Sequence, residues 1–217
     1  MRFSDELRNA ADDIWDAQNE HPFVRGIGDG TLDPERFRFY VRQDYLFLVD
    51  YARVLALGCA RAPRLEAMQR LAELAHSTLS SELELHRSYA SEWGITEADM
   101  AAELPPPATR AYTDFLIRTA TLGDFSELVA ALLPCMWGYS DLGRRLAARG
   151  RPDRPLYARW IDMYADDEFA RLADWCRGLC DEAAEDRGPS GREQMRNAFL
   201  ASSRHELSFW DSAWKSQ

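Results

Sequence analysis

The sequence predicts an all-α protein. Apolar residues recur at steps of three and four along almost the whole chain, and the sustained period-two alternation that is typical of half-buried strands does not occur. Hydrophobic residues make up 46% of the 217 residues and include 7 Trp, 8 Tyr and 10 Phe, so a large helical core can form. We expect a single domain covering residues 1–217, because this length suits one core.

The charge and hydropathy of the chain argue against nucleic acid and membranes as partners. Lys and Arg number 26 against 36 Asp and Glu, which gives a net charge of -10. Such a chain repels a phosphate backbone, so we do not expect nucleic-acid binding. The N-terminus lacks the apolar run of a signal peptide, and no stretch approaches about 18 uninterrupted apolar residues. We therefore expect a cytoplasmic protein with no membrane association.

Helix-capping and helix-breaking residues predict where the first helices begin and end. Ser4 can cap a first helix, and we expect His21-Pro22 and the glycines that follow to end it. Asp33-Pro34 is typical of a helix start, with a capping side chain followed by proline at the first helical position. A third helix is expected from about Pro63. Its predicted inward residues are Leu65, Met68, Ala72, Leu79, Leu83 and Trp93.

The second half of the chain predicts four more helices. One follows the break at Pro105-Pro106-Pro107, and another runs from about Ser126 to Ala148. Pro155 opens the next, which is expected to continue to about Leu179. The segment from Gly188 to Gly191 separates it from the last helix. The total is seven to eight helices.

Two carboxylates lie on apolar stripes. Asp44 belongs to the stripe 37, 41, 44, 48, 51, 55, and Glu206 belongs to the stripe 195, 199, 202, 206, 209, 213. Periodicity therefore points both side chains into the core, where a carboxylate needs a partner or a function. Each can be a structural group held by an Arg or a Tyr hydroxyl. Two together favour a functional site.

Cys135 and Tyr139 are four residues apart in one helix, so thiol and phenol lie side by side on its core face. Pro134 removes a backbone donor beside the thiol and is expected to bend the helix. A free cysteine is often just a small buried apolar residue, whereas a nucleophilic one needs a base or cation nearby. Tyr164 and Tyr112 are two more inward phenols that can belong to the core or to a site.

No cofactor is expected from the sequence. A di-iron bundle needs two Glu-x-x-His pairs, and one is found, Glu73 with His76. His21 could ligate haem but lies beside a proline, as turn residues do. The four cysteines form no CxxC pair, which favours reduced thiols over disulfides or a zinc site.

With these residues in view, the sequence resembles the TenA, or thiaminase II, family along its whole length. Five stretches carry the resemblance in order. They are His21-Pro22-Phe23-Val24 with residues 26–32, Gln43 to Leu48, Pro134-Cys135 through Tyr139, Trp160-Ile161-Asp162 with Tyr164, and Ser202-Ser203 with Glu206 and Phe209-Trp210.

The resemblance implies a haem-oxygenase-like helical bundle without haem, assembled as a homotetramer. It implies hydrolysis of 4-amino-5-aminomethyl-2-methylpyrimidine, and of thiamin in many members, to the hydroxymethylpyrimidine in thiamin salvage. By position, Cys135 is the nucleophile that adds to the ring, Glu206 the general acid and base, and Asp44 the group that holds the amino-pyrimidine edge. Tyr139 and Tyr164 are also expected to act in catalysis by orienting reacting groups with their hydroxyls. Expected contacts to the substrate come from Phe47, Tyr112, Tyr139, Tyr164 and Phe209.

One departure is that several relatives carry Tyr where this chain has Phe47, so a hydroxyl is absent there. The presence of Cys135 indicates the cysteine-containing branch of the family. Two alternatives stay open at this point: a non-catalytic pyrimidine-binding or regulatory protein with the same pocket, and an oxygenase built on the same bundle.

Overall fold

The computed structural model describes residues 1–216, and over these residues it contains twelve α-helices and no strand. A single π-helical turn, Thr78–Glu82, joins α5 to α6. The helices are α1 (Phe3–Ala10), α2 (Asp12–Asn19), α3 (Pro22–Asp29), α4 (Pro34–Arg61), α5 (Leu65–Ser77), α6 (Leu83–Glu92), α7 (Glu97–Ala102), α8 (Pro107–Leu122), α9 (Phe125–Arg149), α10 (Pro155–Ala165), α11 (Asp167–Glu185) and α12 (Pro189–Lys215). The all-α prediction is confirmed, although the helices are more numerous than the seven to eight expected.

The chain divides into two compact units. The first comprises Met1–Leu32 and Ser126–Asp211, and the second comprises Asp33–Phe125 and the segment that begins at Ser212. A single domain over residues 1–217 stays a prediction. No described helix combines the length and the apolar character needed to span a bilayer.

In the first unit, α1 packs on α11. The Ser4 backbone N–H donates to Asp181 Oδ1 at 2.7 Å and the Ser4 hydroxyl to Oδ2 at 3.1 Å. The prediction that Ser4 caps the first helix is therefore wrong: Ser4 lies inside α1, fully buried, and its hydroxyl ties two helices together. A break at Ala11 then separates α1 from α2, which the sequence analysis did not predict.

A helix replaces the loop that was expected after His21. Pro22 occupies the first turn of α3, and His21 caps it by accepting a hydrogen bond from the Phe23 backbone N–H. The helix ends at Gly30, whose φ of 73° is the left-handed conformation that favours glycine. Gly26 lies inside the helix, and a Cβ there would lie only 3.0 Å from the Leu32 Cβ, so the missing side chain lets Leu32 pack closely against the helix.

The second unit is built on α4, which contacts α5, α6, α7 and α8. Asp33 caps α4 through the Glu35 backbone N–H, and Pro34 begins the helix, as predicted. All six residues of the stripe 37, 41, 44, 48, 51, 55 are buried. The helix is uninterrupted over 28 residues, so its sequence period translates directly into one buried face.

Most of the predicted inward face of the next helix is wrong, although Leu83 is buried as predicted. Leu65, Met68 and Leu79 are exposed. The buried positions are 67, 71, 74 and 78, followed by 83, 86, 89 and 90. The step from 78 to 83 is one residue longer than an α-helical step because the π turn inserts a residue there.

Two further breaks were missed. Asp166 ends α10 and caps α11 by accepting from the backbone N–H groups of Glu168 and Phe169, so one expected helix is two. A short helix, α7, begins with a capping box in which Thr96 and Asp99 bond each other's backbone. Together with the break at Ala11, the helix α3 and the π turn between α5 and α6, they account for the higher helix count.

Candidate functional site

In the second unit, α4 carries Asp44 with 2% of its surface exposed, which confirms the predicted inward direction. The Tyr40 hydroxyl donates to Asp44 Oδ2 at 3.0 Å. His86 Nε2, from α6, lies 2.8 Å from the same oxygen. These two polar partners offset the free energy that it costs to remove the Asp44 carboxylate from water.

His86 is the residue of this site that the sequence analysis missed. It is 1% exposed, and its Nδ1 lies 2.9 Å from the Glu82 backbone oxygen. Burial lowers the pKa of His86, but the hydrogen bond to Asp44, the charge of Asp44 and the Glu82 carbonyl outweigh it, so the pKa is raised above its ordinary value. The spacing of Leu83, His86 and Ala90 on one face is the signal that could have identified it.

Aromatic rings lie one turn along α4 from Asp44. The ring centroids of Phe47 and Tyr112 are 4.8 Å apart, with 32° between their planes. Phe47 and Tyr51 stack at 5.5 Å. The structure thus brings together Phe47 and Tyr112, two of the predicted substrate contacts, as flat apolar surfaces suited to an aromatic heterocycle.

In the first unit, α9 carries Cys135 and Tyr139, which are 8% and 5% exposed. Tyr139 lies 4.8 Å from Tyr164 and 5.4 Å from Trp210, centroid to centroid. Tyr164 also lies 4.7 Å from Trp160. The predicted pair Tyr139 and Tyr164 therefore lies in one aromatic cluster. Pro134 does not end α9.

Two contacts fix how α12 lies along α9. The Ser202 hydroxyl donates to the Ala131 carbonyl at 2.7 Å, and Trp210 packs against Tyr139. The members of both pairs are separated by the same 71 residues. The two helices therefore run parallel here in constant register.

That register brings Cys135 and Glu206 to the same level. Cys135 lies four residues after Ala131 and four before Tyr139, and Glu206 lies midway between Ser202 and Trp210. Residues at steps of four share a helix face, so both side chains lie on the facing surfaces. Glu206 is 3% exposed, which confirms its predicted burial, and Phe209 on the next turn is also 3% exposed.

Gly143 determines how closely α10 approaches α9. A Cβ at this position would lie 2.5 Å from the Tyr164 carbonyl carbon and 2.7 Å from the Ala165 nitrogen. Such distances are below any normal contact, so the missing side chain is what lets the backbone at Tyr164 reach α9. Gly143 therefore positions the Tyr164 phenol beside Tyr139.

Two other buried cysteines are poor nucleophiles. Burial raises the pKa of Cys176 to about 12. Burial, with the charge of Asp181, raises the pKa of Cys180 even further. Both remain thiols at neutral pH and lack the thiolate that attacks a substrate. No group of three or more His, Cys, Asp or Glu side chains suited to a metal ion occurs among residues 1–216.

A cavity of about 320 Å³ opens on the second unit. Its walls include Tyr45, Val49 and Arg53 of α4 and Thr109 and Thr113 of α8. None of the predicted site residues lines it. It therefore does not belong to the Asp44 cluster.

Comparison with known proteins gives consistent similarities. The sequence pattern of the TENA/THI-4/PQQC family matches residues 8–216. The chain is 42% identical over 215 residues to an aminopyrimidine aminohydrolase of Halalkalibacterium halodurans, covering 99% of this chain and 96% of the relative. An aminopyrimidine aminohydrolase of Helicobacter pylori is 33% identical, with both chains covered completely.

Solved structures are similar as well. A TenA homologue from P. horikoshii OT3 superimposes with a TM-score of 0.92 at 33% identity and 99% coverage of both chains. A protein of Silicibacter described as a TenA family transcription regulator has a TM-score of 0.92 at 29% identity, covering 99% of this chain and 97% of its own. A domain from Shewanella denitrificans with a heme oxygenase-like fold has a TM-score of 0.76 at 16% identity, covering 97% and 91%. The expected haem-oxygenase-like fold is confirmed.

Proposed function

Because this chain belongs to the TENA/THI-4/PQQC family, we propose that it is an aminopyrimidine aminohydrolase. It is a hydrolase that cleaves a C–N bond, releasing ammonia from 4-amino-5-aminomethyl-2-methylpyrimidine and leaving the hydroxymethylpyrimidine for thiamin salvage. The observation that carries the proposal is the full-length similarity to aminohydrolases of that name.

Asp44 holds the amino edge of the pyrimidine. Its Oδ2 accepts from the Tyr40 hydroxyl and lies 2.8 Å from His86 Nε2. A carboxylate oxygen accepts a hydrogen bond from an exocyclic amine, and burial strengthens that bond by excluding water. Phe47 and Tyr112, whose rings already pack together, supply flat surfaces for the ring of the substrate.

Cys135 is the nucleophile. Its sulfur forms a bond to a ring carbon, and the electron pair displaced from the ring then expels the amine from the exocyclic methylene. Water adds to that methylene, the aromatic ring is restored, and the thiolate leaves. The step is covalent catalysis, in which one difficult displacement becomes two easier ones.

Glu206 is the general acid and base. The register of α9 and α12, which brings it level with Cys135, supports this role. It takes the thiol proton and delivers it to the departing amino group, and in the second half it takes a proton from the attacking water and returns it to the thiolate as the sulfur leaves. Tyr139 and Tyr164 orient reacting groups with their hydroxyls, and Phe209 contributes a further apolar contact to the substrate.

The assembly and location are part of the same proposal. We infer a homotetramer in the cytoplasm, with a small-molecule substrate as its ligand. Light scattering coupled to size-exclusion chromatography measures the mass directly, and four copies of the 24.8 kDa chain are expected.

The test is incubation of the purified protein with the aminomethyl-pyrimidine, its formyl derivative and thiamin, with kcat/KM measured for each. Discrimination among them is a difference in transition-state binding. Release of ammonia from the aminomethyl-pyrimidine supports the proposal. Absence of release from all three substrates would contradict it.

A second candidate is a regulatory protein that binds pyrimidines without turning them over. The Silicibacter protein described as a transcription regulator favours considering it. The two functions differ in one observable, because a regulator binds the aminomethyl-pyrimidine stably whereas the hydrolase converts it to product. Calorimetry followed by mass analysis of the recovered ligand distinguishes them.

A further inference from the structure

His86 is buried, and both nitrogens of its ring have a polar neighbour. Nδ1 lies 2.9 Å from the Glu82 backbone oxygen, and Nε2 lies 2.8 Å from Asp44 Oδ2. A carbonyl oxygen can only accept a hydrogen bond, so Nδ1 must carry a proton and donate it. The tautomer of the ring is thereby fixed.

The contact between Nε2 and Oδ2 must also hold a proton. Two lone pairs facing each other at 2.8 Å would repel, so one proton lies between His86 and Asp44. Whichever atom carries it, the two residues together are electrically neutral. The pair can thus stay buried without the cost of an unpaired charge.

The π turn is what points His86 at α4. Buried positions advance from 74 to 78 at an α-helical step and then from 78 to 83 across the turn. One extra residue rotates the following helix by about 100° relative to an uninterrupted one. His86 consequently lies on the buried face of α6, three residues after Leu83.

The two oxygens of Asp44 have different surroundings. Oδ2 accepts from the Tyr40 hydroxyl and shares the proton with His86. Oδ1 receives no hydrogen bond from the residues that the structure describes. The carboxylate is therefore held at one oxygen and open at the other.

We propose that His86 is a positioning residue for Asp44: it clamps Oδ2 so that Oδ1 is held ready to accept a hydrogen bond from the exocyclic amine of the substrate. The proposal rests on the proposed function for the identity of that amine. Without His86, only the Tyr40 hydroxyl still holds Oδ2, so the carboxylate can rotate about its side-chain bonds and its geometry toward the ligand is lost.

Each of two variants keeps one of the two hydrogen bonds of the His86 ring and removes the other. In His86→Gln the side-chain amide reaches the position of Nε2, so it still donates to Asp44 but loses the bond to Glu82. In His86→Asn the shorter amide takes the position of Nδ1, keeps the Glu82 bond and cannot reach Asp44. His76→Asn is the matched control, because His76 is exposed on α5.

We expect His86→Asn to raise KM for the aminomethyl-pyrimidine by about tenfold or more, with a smaller change in kcat, because the lost bond acts in ground and transition states alike. His86→Gln should retain most of the affinity. In an Asp44→Ala background His86→Asn should have no further effect, since His86 acts through Asp44. The control His76→Asn should match the unaltered protein.

Equal losses in His86→Asn and His86→Gln would indicate a purely structural histidine and overturn the proposal. Inactivity of the unaltered protein would count against the proposed function instead. The torsion of Asp44 in crystal structures of the two variants tests the clamp independently of turnover: it should be kept in His86→Gln and lost in His86→Asn. If neither variant folds, ¹⁵N NMR of the unaltered protein decides, because an unprotonated Nδ1 would exclude this arrangement.

Discussion

Adding one methyl group at Gly143 should push α10 away from α9. The Cβ of Gly143→Ala would lie 2.5 Å from the Tyr164 carbonyl carbon, whereas carbon atoms normally touch at about 3.5–4.0 Å. The helices must therefore separate by about 1 Å, or the backbone at Tyr164 must distort. Overpacking of this kind costs about 1–3 kcal/mol of unfolding free energy.

The matched control is Gly178→Ala in α11, where a Cβ meets no atom within 4 Å. Both changes add the same helix-propensity gain of about 0.5–1 kcal/mol, so the difference between the variants isolates the overpacking. Urea unfolding should show Gly143→Ala about 1–3 kcal/mol less stable than Gly178→Ala. A displacement of about 1 Å at Tyr164 should also lower kcat/KM by up to about 100-fold. Equal stability and equal activity of the two variants would refute the claim that this close approach positions Tyr164.

Two further predictions concern buried polar groups. Ser202→Ala removes the donor to the Ala131 carbonyl and should cost about 1–3 kcal/mol, measured by urea unfolding against Ser208→Ala, an exposed position in the same helix. The second prediction concerns pH. Because the pKa of His86 is raised in the folded protein, protonated His86 contributes its full stabilisation of the fold at pH values below the ordinary histidine pKa. That contribution is lost as the pH rises through the raised value. As the pH rises through this range, the free energy of unfolding should fall more steeply for the unaltered protein than for His86→Gln. Parallel curves for the two proteins would show that His86 does not cause the pH dependence.

The site could be predicted from sequence where a helix is long and unbroken. The stripes through Asp44 and Glu206 follow one α-helical period, so counting residues was enough to point both carboxylates inward. In α5 the counting was out of phase before the π turn, because it placed Leu65 and Met68 inside whereas residues 67 and 71 are buried, and Leu79 continued that error. The π turn then shifts the buried face, so only the positions after it, beginning at Leu83, show that His86 points inward.

The glycine-rich segment after His21 shows a different limit. Glycine and proline together are typical of loops, and a loop was expected there. Pro22 instead begins α3, and Gly26 stays in the helix where Leu32 packs against it. This contact comes from the tertiary fold and has no counterpart in a local pattern. The position of Glu206 beside Cys135 likewise depends on the register between α9 and α12. The apolar periodicity within each helix cannot predict that register.

The central claim is that the Cys135 sulfur forms the bond that initiates amine release. The most direct measurement is the rate of ammonia release from the aminomethyl-pyrimidine by the unaltered protein and by Cys135→Ser, with calorimetry of the hydroxymethyl product binding to both. Loss of a catalytic nucleophile is expected to lower kcat by about 1,000-fold or more while leaving product affinity nearly unchanged. Equal rates of release in the two proteins would contradict the account.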